Sequence, residues 1–263
     1  MSDLVLLSAG AAKALVEGVA GAFHRETGAK IRGTFGAVGT MRDKLAAGEA
    51  CDAFVSTAAI LDALVGEGRI VAASIRPIGR VRTGIAVRAG DPVPSIADAD
   101  ALAAALREAP AIFLPDPERA TAGVHFVRVL DRLGLIGTLA SRLKTYPNGA
   151  TAMNELAQCA LPGAIGCTQV TEILYTPGVV LAALLPRAFE LATTYSAAMC
   201  TGAVSPDLAA TFVECHSVVS PPASRETRAT STPVRTSAPA SRSAEVTASP
   251  ANGSSRTRRA VPE

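Results

Sequence analysis

Tryptophan is absent from the 263-residue chain, and aromatic residues make up only 4% of it. With 49% of residues hydrophobic, the core must therefore be built from Ala, Val, Leu and Ile. Short aliphatic strands buried between helices suit that composition. Histidine is scarce: His24, His125 and His216 are the full set, and none stands at metal-ligand spacing from another His or from a Cys. The five cysteines (Cys51, Cys159, Cys167, Cys200, Cys215) are odd in number and form no C-x-x-C pair. Each falls in or beside an apolar segment, so they read as buried free thiols rather than a zinc or redox site, in keeping with a reducing compartment. No apolar run reaches the roughly 18 residues of a membrane span. The N-terminus carries neither a basic leader region nor a cleavage site. Nucleophile elbow and P-loop are missing, and Gly33-x-x-Gly36-x-x-Gly39 lacks dinucleotide spacing. These absences argue against a metal, a cofactor, a catalytic constellation and membrane insertion. As written, the chain reads as cytoplasmic unless a leader has been lost.

Charge is unevenly spread. The formal net charge is +2, but the segment from His216 onward holds seven Arg and three Glu, which leaves about −2 on the preceding body. No basic face for nucleic acid is expected there. That same segment, 216–263, is dominated by Ser, Thr, Pro, Ala and Arg without apolar period. It reads as a disordered tail that buries too little surface to offset its ordering entropy.

What is present is an alternation of strand and helix patterns. Asp3-Leu4-Val5-Leu6-Leu7 is an apolar run of strand length, Ser8 to Ala12 a small-residue loop, and Leu15, Val16, Val19, Ala20 and Phe23 the apolar stripe of a helix. Strands at 30–35 and 52–56 and helices at 40–47 and around Ile60, Leu61, Leu64 and Val65 continue a βαβαβα series, which implies a parallel sheet. A longer strand, 79–89, leaves this unit. A second α/β unit follows, with helices at 99–109, after Asp116-Pro117-Glu118, and at 149–160. Its strands lie at 111–114, 143–146, 164–167 and 179–185, and 164–167 enters a polar loop, Thr168-Gln169. Residues 189–200 are extended and return to the first unit. A final helix starts at Asp207, capped by Ser205 with Pro206 at its first position. The expected fold class is α/β with two lobes, each a mainly parallel sheet flanked by helices, joined by crossing strands. The expected lobes are 1–79 plus 190–215, and 80–189.

A cleft between such lobes is a preferred ligand site, and open α/β sheets bind beyond the carboxyl ends of their strands. Four of those ends carry small residues just before a helix: Gly10-Ala11, Ala37 to Thr40, Thr121 to Gly123, and Asn148 to Ala150. Each presents backbone N–H groups that can hold an anion. A fifth, Thr168-Gln169, offers side-chain donors and acceptors. Asp116 and Glu118 read as turn and helix-start charges rather than paired catalytic acids.

The order and spacing of several blocks resemble the molybdate-binding proteins of ABC transporters, with the type II periplasmic binding fold. The blocks are Ser8 to Ala12, Thr34 to Thr40, Gly48 to Ser56 ending in Asp-Ala-Phe-Val-Ser, Asp116-Pro117-Glu118 with Ala122-Gly123, and Ile165-Gly166 leading to Thr171-Glu172. The resemblance covers residues 3–215. It implies binding of a tetrahedral oxyanion by two serine hydroxyls and neighbouring N–H groups. The serine positions fall on Ala11 and Val38, the backbone positions on Ala122 and Gly149, and a tyrosine position on Gln169. Two lost hydroxyls would remove hydrogen bonds of roughly 1.5–3 kcal/mol each; Lys13, Arg42 or Arg119 are candidate substitutes. In the family a final helix continues past Glu214, whereas low-complexity sequence begins here at Cys215-His216.

The expected ligand-binding residues are Gly10, Ala11, Val38, Gly39, Ala122, Gly149, Thr168 and Gln169. The expected function is that of a monomeric, non-catalytic solute-binding protein closing two lobes over a small anion (a molybdate- or tungstate-like oxyanion), with an ABC permease as partner; the resemblance implies a periplasmic location if a leader has been lost. The alternative is a cytoplasmic sensor of the same fold for a small organic acid or another polar metabolite.

Overall fold

A computed structural model describes residues 3–218 of the chain; residues 219–263, and the disorder expected of them, lie outside the described residues. Nine strands form one continuous hydrogen-bonded sheet in the order β2-β1-β3-β9-β4-β7-β5-β6, with β8 also on β4. The strands are β1 (Leu4–Ala9), β2 (Ile31–Gly36), β3 (Ala53–Thr57), β4 (Arg76–Arg88), β5 (Ile112–Pro115), β6 (Leu143–Tyr146), β7 (Ile165–Gln169), β8 (Val179–Leu184) and β9 (Ala192–Met199). The helices are α1 (Lys13–Thr27), α2 (Val38–Ala46), α3 (Ala58–Gly66), α4 (Ala99–Glu108), α5 (Thr121–Arg132), α6 (Ile136–Leu139), α7 (Gly149–Gln158), α8 (Val170–Leu174) and α9 (Pro206–Val218). This is the mixed α/β architecture that the alternating pattern implies.

Two parallel triplets, β2-β1-β3 and β6-β5-β7, form the two halves. They are joined by antiparallel β4 and β9. The first part of β4 pairs with β9, from Arg76 opposite Ala197 to Arg82 opposite Ala192, and its second part pairs with β7 and β8.

Strand alternation sends side chains to four separate cores. Leu4, Leu6, Ala53 and Val55 face α1 and α9, where Phe23 meets Phe212 edge-on at 6.2 Å. Leu7 and Phe54, on the opposite face, pack with Met41, Leu45, Leu61 and Leu64 of α2 and α3. In the second half Ile85, Ile112 and Leu114 meet Leu102, Leu106, Phe126 and Leu130 of α4 and α5, while Ala86 and Phe113 meet Met153, Leu156 and Ile173 of α7 and α8. The central strands thus serve two cores, which explains why they read as continuous apolar runs rather than as alternating ones, whereas the edge strand β2 is mostly exposed.

Three local readings change. Thr168 and Gln169 are the last residues of β7 rather than a loop, because β7 pairs with β4 as far as Thr83 opposite Gln169. The short α8 follows at once, and neither it nor α6 has enough residues to show a helical period. The final helix runs past Cys215 to Val218, beyond the point where composition changes.

Asp52, from the Asp-Ala-Phe-Val-Ser block, is a buried fastener. Its carboxylate accepts the N–H of Val5 on one oxygen and those of Val204 and Ser205 on the other, all at 2.8 Å. It thereby ties β1, the approach to β3 and the start of α9 together. Replacing it by Ala removes the acceptor of three part-buried N–H groups, and an unsatisfied buried donor costs about 1–3 kcal/mol. Asp52→Ala is expected to destabilise the fold by about 3 kcal/mol and to lower Tm by roughly 6–12 °C in a thermal melt.

Candidate functional site

The carboxyl ends of β1, β2, β5 and β7 converge on a small, partly open slot with a cavity volume of about 20 Å³. Ala9, Gly10 and Ala11 line it from the first strand, and Gly36, Ala37 and Val38 from the second. Across from them stand Pro115, the start of α5 at Ala120–Ala122, the start of α7 at Asn148 and Gly149, and Gln169, Glu172 and Tyr195.

Three of the helices beside the slot begin without a side-chain cap. The residue before α1 is Ala12, before α2 Ala37 and before α5 Ala120, and none makes a side-chain cap. Alanine in place of Ser, Asp or Asn at such a position forgoes about 0.5–2 kcal/mol. Side-chain caps are made at α4, where Asp98 accepts from Ala101 N–H, and at α7 on the slot itself, where Asn148 accepts from Thr151 N–H; α3, α6 and α8 also start without one. Helix starts carry partial positive charge on their N–H groups, and the first residues of α2 and α5 and the 3-10 turn Gly10–Ala12 that leads into α1 border this slot, which suits an anionic or polar guest.

The fourth helix start is already occupied. Glu172 is buried, and its carboxyl accepts the Thr168 hydroxyl at 2.6 Å and the N–H groups of Gln169, Ala150 and Gly149. Burial raises its pKa to about 7, against the lowering effect of those four donors. The carboxylate is fitted closely: a Cβ on Gly149 would overlap its Oε2, and one on Gly10 would stand 3.0 Å from its Oε1. Glycine at both positions is thus what lets an acid sit between the two loops.

Two more polar groups face the slot. Gln169 is 2% exposed; its Nε2 donates to Thr193 Oγ1 at 3.3 Å, and its Oε1 has no partner. Tyr195, on the crossing strand β9, is fully buried, and its hydroxyl is hydrogen-bonded to Thr121; burial and the nearby Glu172 charge push its pKa up.

Of the residues singled out from sequence, Gly10, Ala11, Val38, Ala122, Gly149 and Gln169 all line the slot. Gly39 lines the neighbouring groove instead, and its N–H donates to Arg119 O at 3.0 Å. Thr168 stands behind Glu172. Gly149 lends its N–H to that carboxyl and not to the open slot. The candidate cations are engaged elsewhere. Lys13 lies 3.7 Å from Glu17 and over the Phe35 and Tyr175 rings, and Arg119 pairs with Asp43 at 2.9 Å. Arg42 reaches only to 3.8 Å from Asp43, outside the slot. Asp116 is a turn acceptor for the N–H groups of Glu118 and Arg119, as the Asp-Pro pattern suggests. Cys167 and His125 do not pair: His125 bonds to Phe189 O, and the Cys167 thiol is buried with its pKa raised by burial. Among the described residues no cluster of His, Cys, Asp or Glu could hold a metal ion.

Glu172 and Tyr195 are the functional candidates that sequence reasoning did not single out. Glu172 entered only as the end of the block from Ile165-Gly166 to Thr171-Glu172, and only the facing glycines betray its burial. Tyr195 stands among Ser and Ala on an extended run, a pattern open to many roles. The slot therefore holds a tyrosine, supplied by β9 rather than by the end of β7.

Contacts across the slot hold the halves close. Thr171 Oγ1 donates to Ala11 O at 2.7 Å and Tyr175 Oη to Gly10 O at 3.5 Å, while the Gly39–Arg119 and Asp43–Arg119 contacts close the opposite side.

Comparison with known proteins agrees with this geometry. The chain superposes on the periplasmic molybdate-binding protein of Azotobacter vinelandii with a TM-score of 0.68 at 18% identity, covering 82% of this chain and 93% of that one. It superposes on the sulfate-binding protein SubI of Mycobacterium tuberculosis H37Rv with a TM-score of 0.66 at 18% identity, covering 83% of each. An aconitate isomerase of Pseudomonas sp is 27% identical over 225 residues, 81% of this chain and 82% of that protein. The model of the family described as bacterial extracellular solute-binding protein matches residues 4–224, which takes in nearly all of the fold, and the chain belongs to that family.

Proposed function

We propose that the chain is a solute-binding protein that holds a small anion in the slot between its lobes and delivers it to an ABC permease. The observation that carries this reading is the slot itself. Three helix starts without side-chain caps and a buried glutamine with a partnerless amide oxygen face one small space. The binding residues in this reading are Gly10, Ala11, Val38 and Ala122 through their backbones, and Gln169 and Tyr195 through side chains. Thr168 and Gly149 act one step back, by holding Glu172; Gly39 helps to close the cleft. The moving bodies are 1–79 with 190–215, and 80–189, and the protein works as a monomer. Sulfate and molybdate belong to the candidate ligands because similarly folded proteins carry those names. A thermal-shift series with molybdate, tungstate, sulfate, phosphate and small carboxylates is expected to show one class raising Tm, by about 2.7 kcal/mol of stabilisation at a hundredfold excess over Kd. No shift with any of them would overturn the assignment of the slot to small anions.

Glu172 makes that binding depend on pH. Its carboxyl, with a pKa of about 7, is neutral in acid and charged in alkali. An anion brought beside it favours the protonated form and raises its pKa further, so binding takes up a proton once the free site is ionised. The affinity should hold steady below pH 7 and fall by about tenfold per pH unit above it. Titration calorimetry in buffers of different ionisation enthalpy reads the proton uptake directly. Glu172→Gln should flatten the profile; a profile already flat in the parent protein between pH 6 and 9 would sink the linkage.

Glu172 also favours a second reading. A carboxyl poised near neutral pH beside a ligand slot can take a proton from one carbon of a bound acid and return it to another. The likeness to an aconitate isomerase makes aconitate the substrate to test. In deuterium oxide, turnover would interconvert the isomers, and Glu172→Gln would slow it by 10² or more. Binding of aconitate with neither interconversion nor deuterium incorporation would leave the chain a binder.

A further inference from the structure

We propose that Cys51 and Cys200 form a disulfide when the chain folds in an oxidising compartment. Cys51 lies just ahead of β3 and Cys200 just after β9. These strands pair antiparallel with Ala53 opposite Met199, and beyond that pair Cys200 N–H donates to Asp52 O at 3.0 Å. The backbones on either side of both cysteines are therefore held together. Both side chains are buried in one core cluster with Leu7, Phe54 and Leu64. The Cys51 thiol lies close enough to Cys200 to raise its pKa, and Cys51 Sγ donates to Ala53 O at 2.9 Å. The other three cysteines stand apart: Cys167 lies in the core of the second half, Cys159 ends α7, and Cys215 donates to Glu26 at 3.5 Å. The odd cysteine count hides this pair in the sequence, where 51 and 200 are far apart.

The reaction belongs to the folding stage. In the native protein both thiols are buried, and the Cys51 thiol and burial keep Cys200 protonated, so Cys200 does not meet an oxidant as a thiolate. While the chain is still open, one cysteine thiolate attacks a small disulfide, forms a mixed disulfide and expels one thiolate. Folding then brings the second cysteine thiolate onto the cysteine sulfur of that mixed disulfide, which closes the Cys51–Cys200 bond and expels the second thiolate. Two cysteine thiols are oxidised, one disulfide is reduced to two thiols, and the two protons pass to the leaving thiolates. The bond would close a loop containing the whole second half of the sheet, and long loops restrict the unfolded chain most. The family's extracellular character supplies such a compartment, while the test supplies its own oxidant and does not depend on what the slot binds.

The full chain, unfolded under reducing conditions, would be refolded with reduced glutathione alone or with oxidised glutathione present. Each product would then be denatured and alkylated with iodoacetamide. Expected after oxidative refolding are three alkylated cysteines, one cross-linked peptide pair holding Cys51 and Cys200, and a Tm several degrees above that of the reduced product. Cys200→Ala should leave four alkylated cysteines and no cross-link under the same conditions. Five alkylated cysteines in the oxidatively refolded parent, or a cross-link between any other pair, would overturn the proposal.

Discussion

The antiparallel pairing of β4 with β9 is the constraint on which the rest of the molecule depends. Each half has a parallel triplet, and a parallel triplet cannot by itself join another half into the same sheet. The join is made by two long strands that cross from one half to the other, β4 outward and β9 back. Because β4 turns its first residues to β9 and its later ones to β7 and β8, the sheet continues without an edge between the halves. The carboxyl ends of the two triplets then face one another, and the helix starts that follow them share a single slot. Tyr195 reaches that slot because β9 occupies the middle of the sheet.

Within the slot, two electrostatic features act against each other. Helix starts without side-chain caps attract negative charge. The chain then introduces a negative charge of its own: Glu172 uses up the donors at α7, and its burial keeps its proton half-held near neutrality. In the proposed function a guest anion would compete with that carboxyl for the same partial charges or share its proton. The hydroxyl groups expected from the family resemblance at residues 11 and 38 are replaced by hydrocarbon. Polar contact is left to backbone N–H groups, Gln169, Tyr195 and the Glu172 carboxyl.

Several sequence features turned out to be structural. The Asp-Ala-Phe-Val-Ser block owes its character to Asp52, which fastens three segments by hydrogen bonds. The Asp-Pro-Glu turn holds its own N–H groups and shapes the approach to α5; a Cβ at Gly123 would collide with the carbonyls of Asp116 and Pro115. Both blocks position the slot without lining it through their side chains.

Local pattern determined a good deal here. Aliphatic runs of strand length, helical stripes and small residues at helix starts were enough to read the alternation of elements, the α/β class and most of the loops that meet at the slot. Those signals are carried by neighbours in the chain, so they survive without a fold. What tertiary structure alone decided are the relations between distant residues. Only it sets Glu172 against Gly10 and Gly149, brings Tyr195 into the slot, extends β7 through Gln169 by pairing it with β4, and lays Cys51 beside Cys200. Each of these depends on burial or on pairing between segments far apart in sequence. The physical reason is that a carboxyl's proton affinity and a thiol's partner are set by what packs around them, which residues distant in the chain provide.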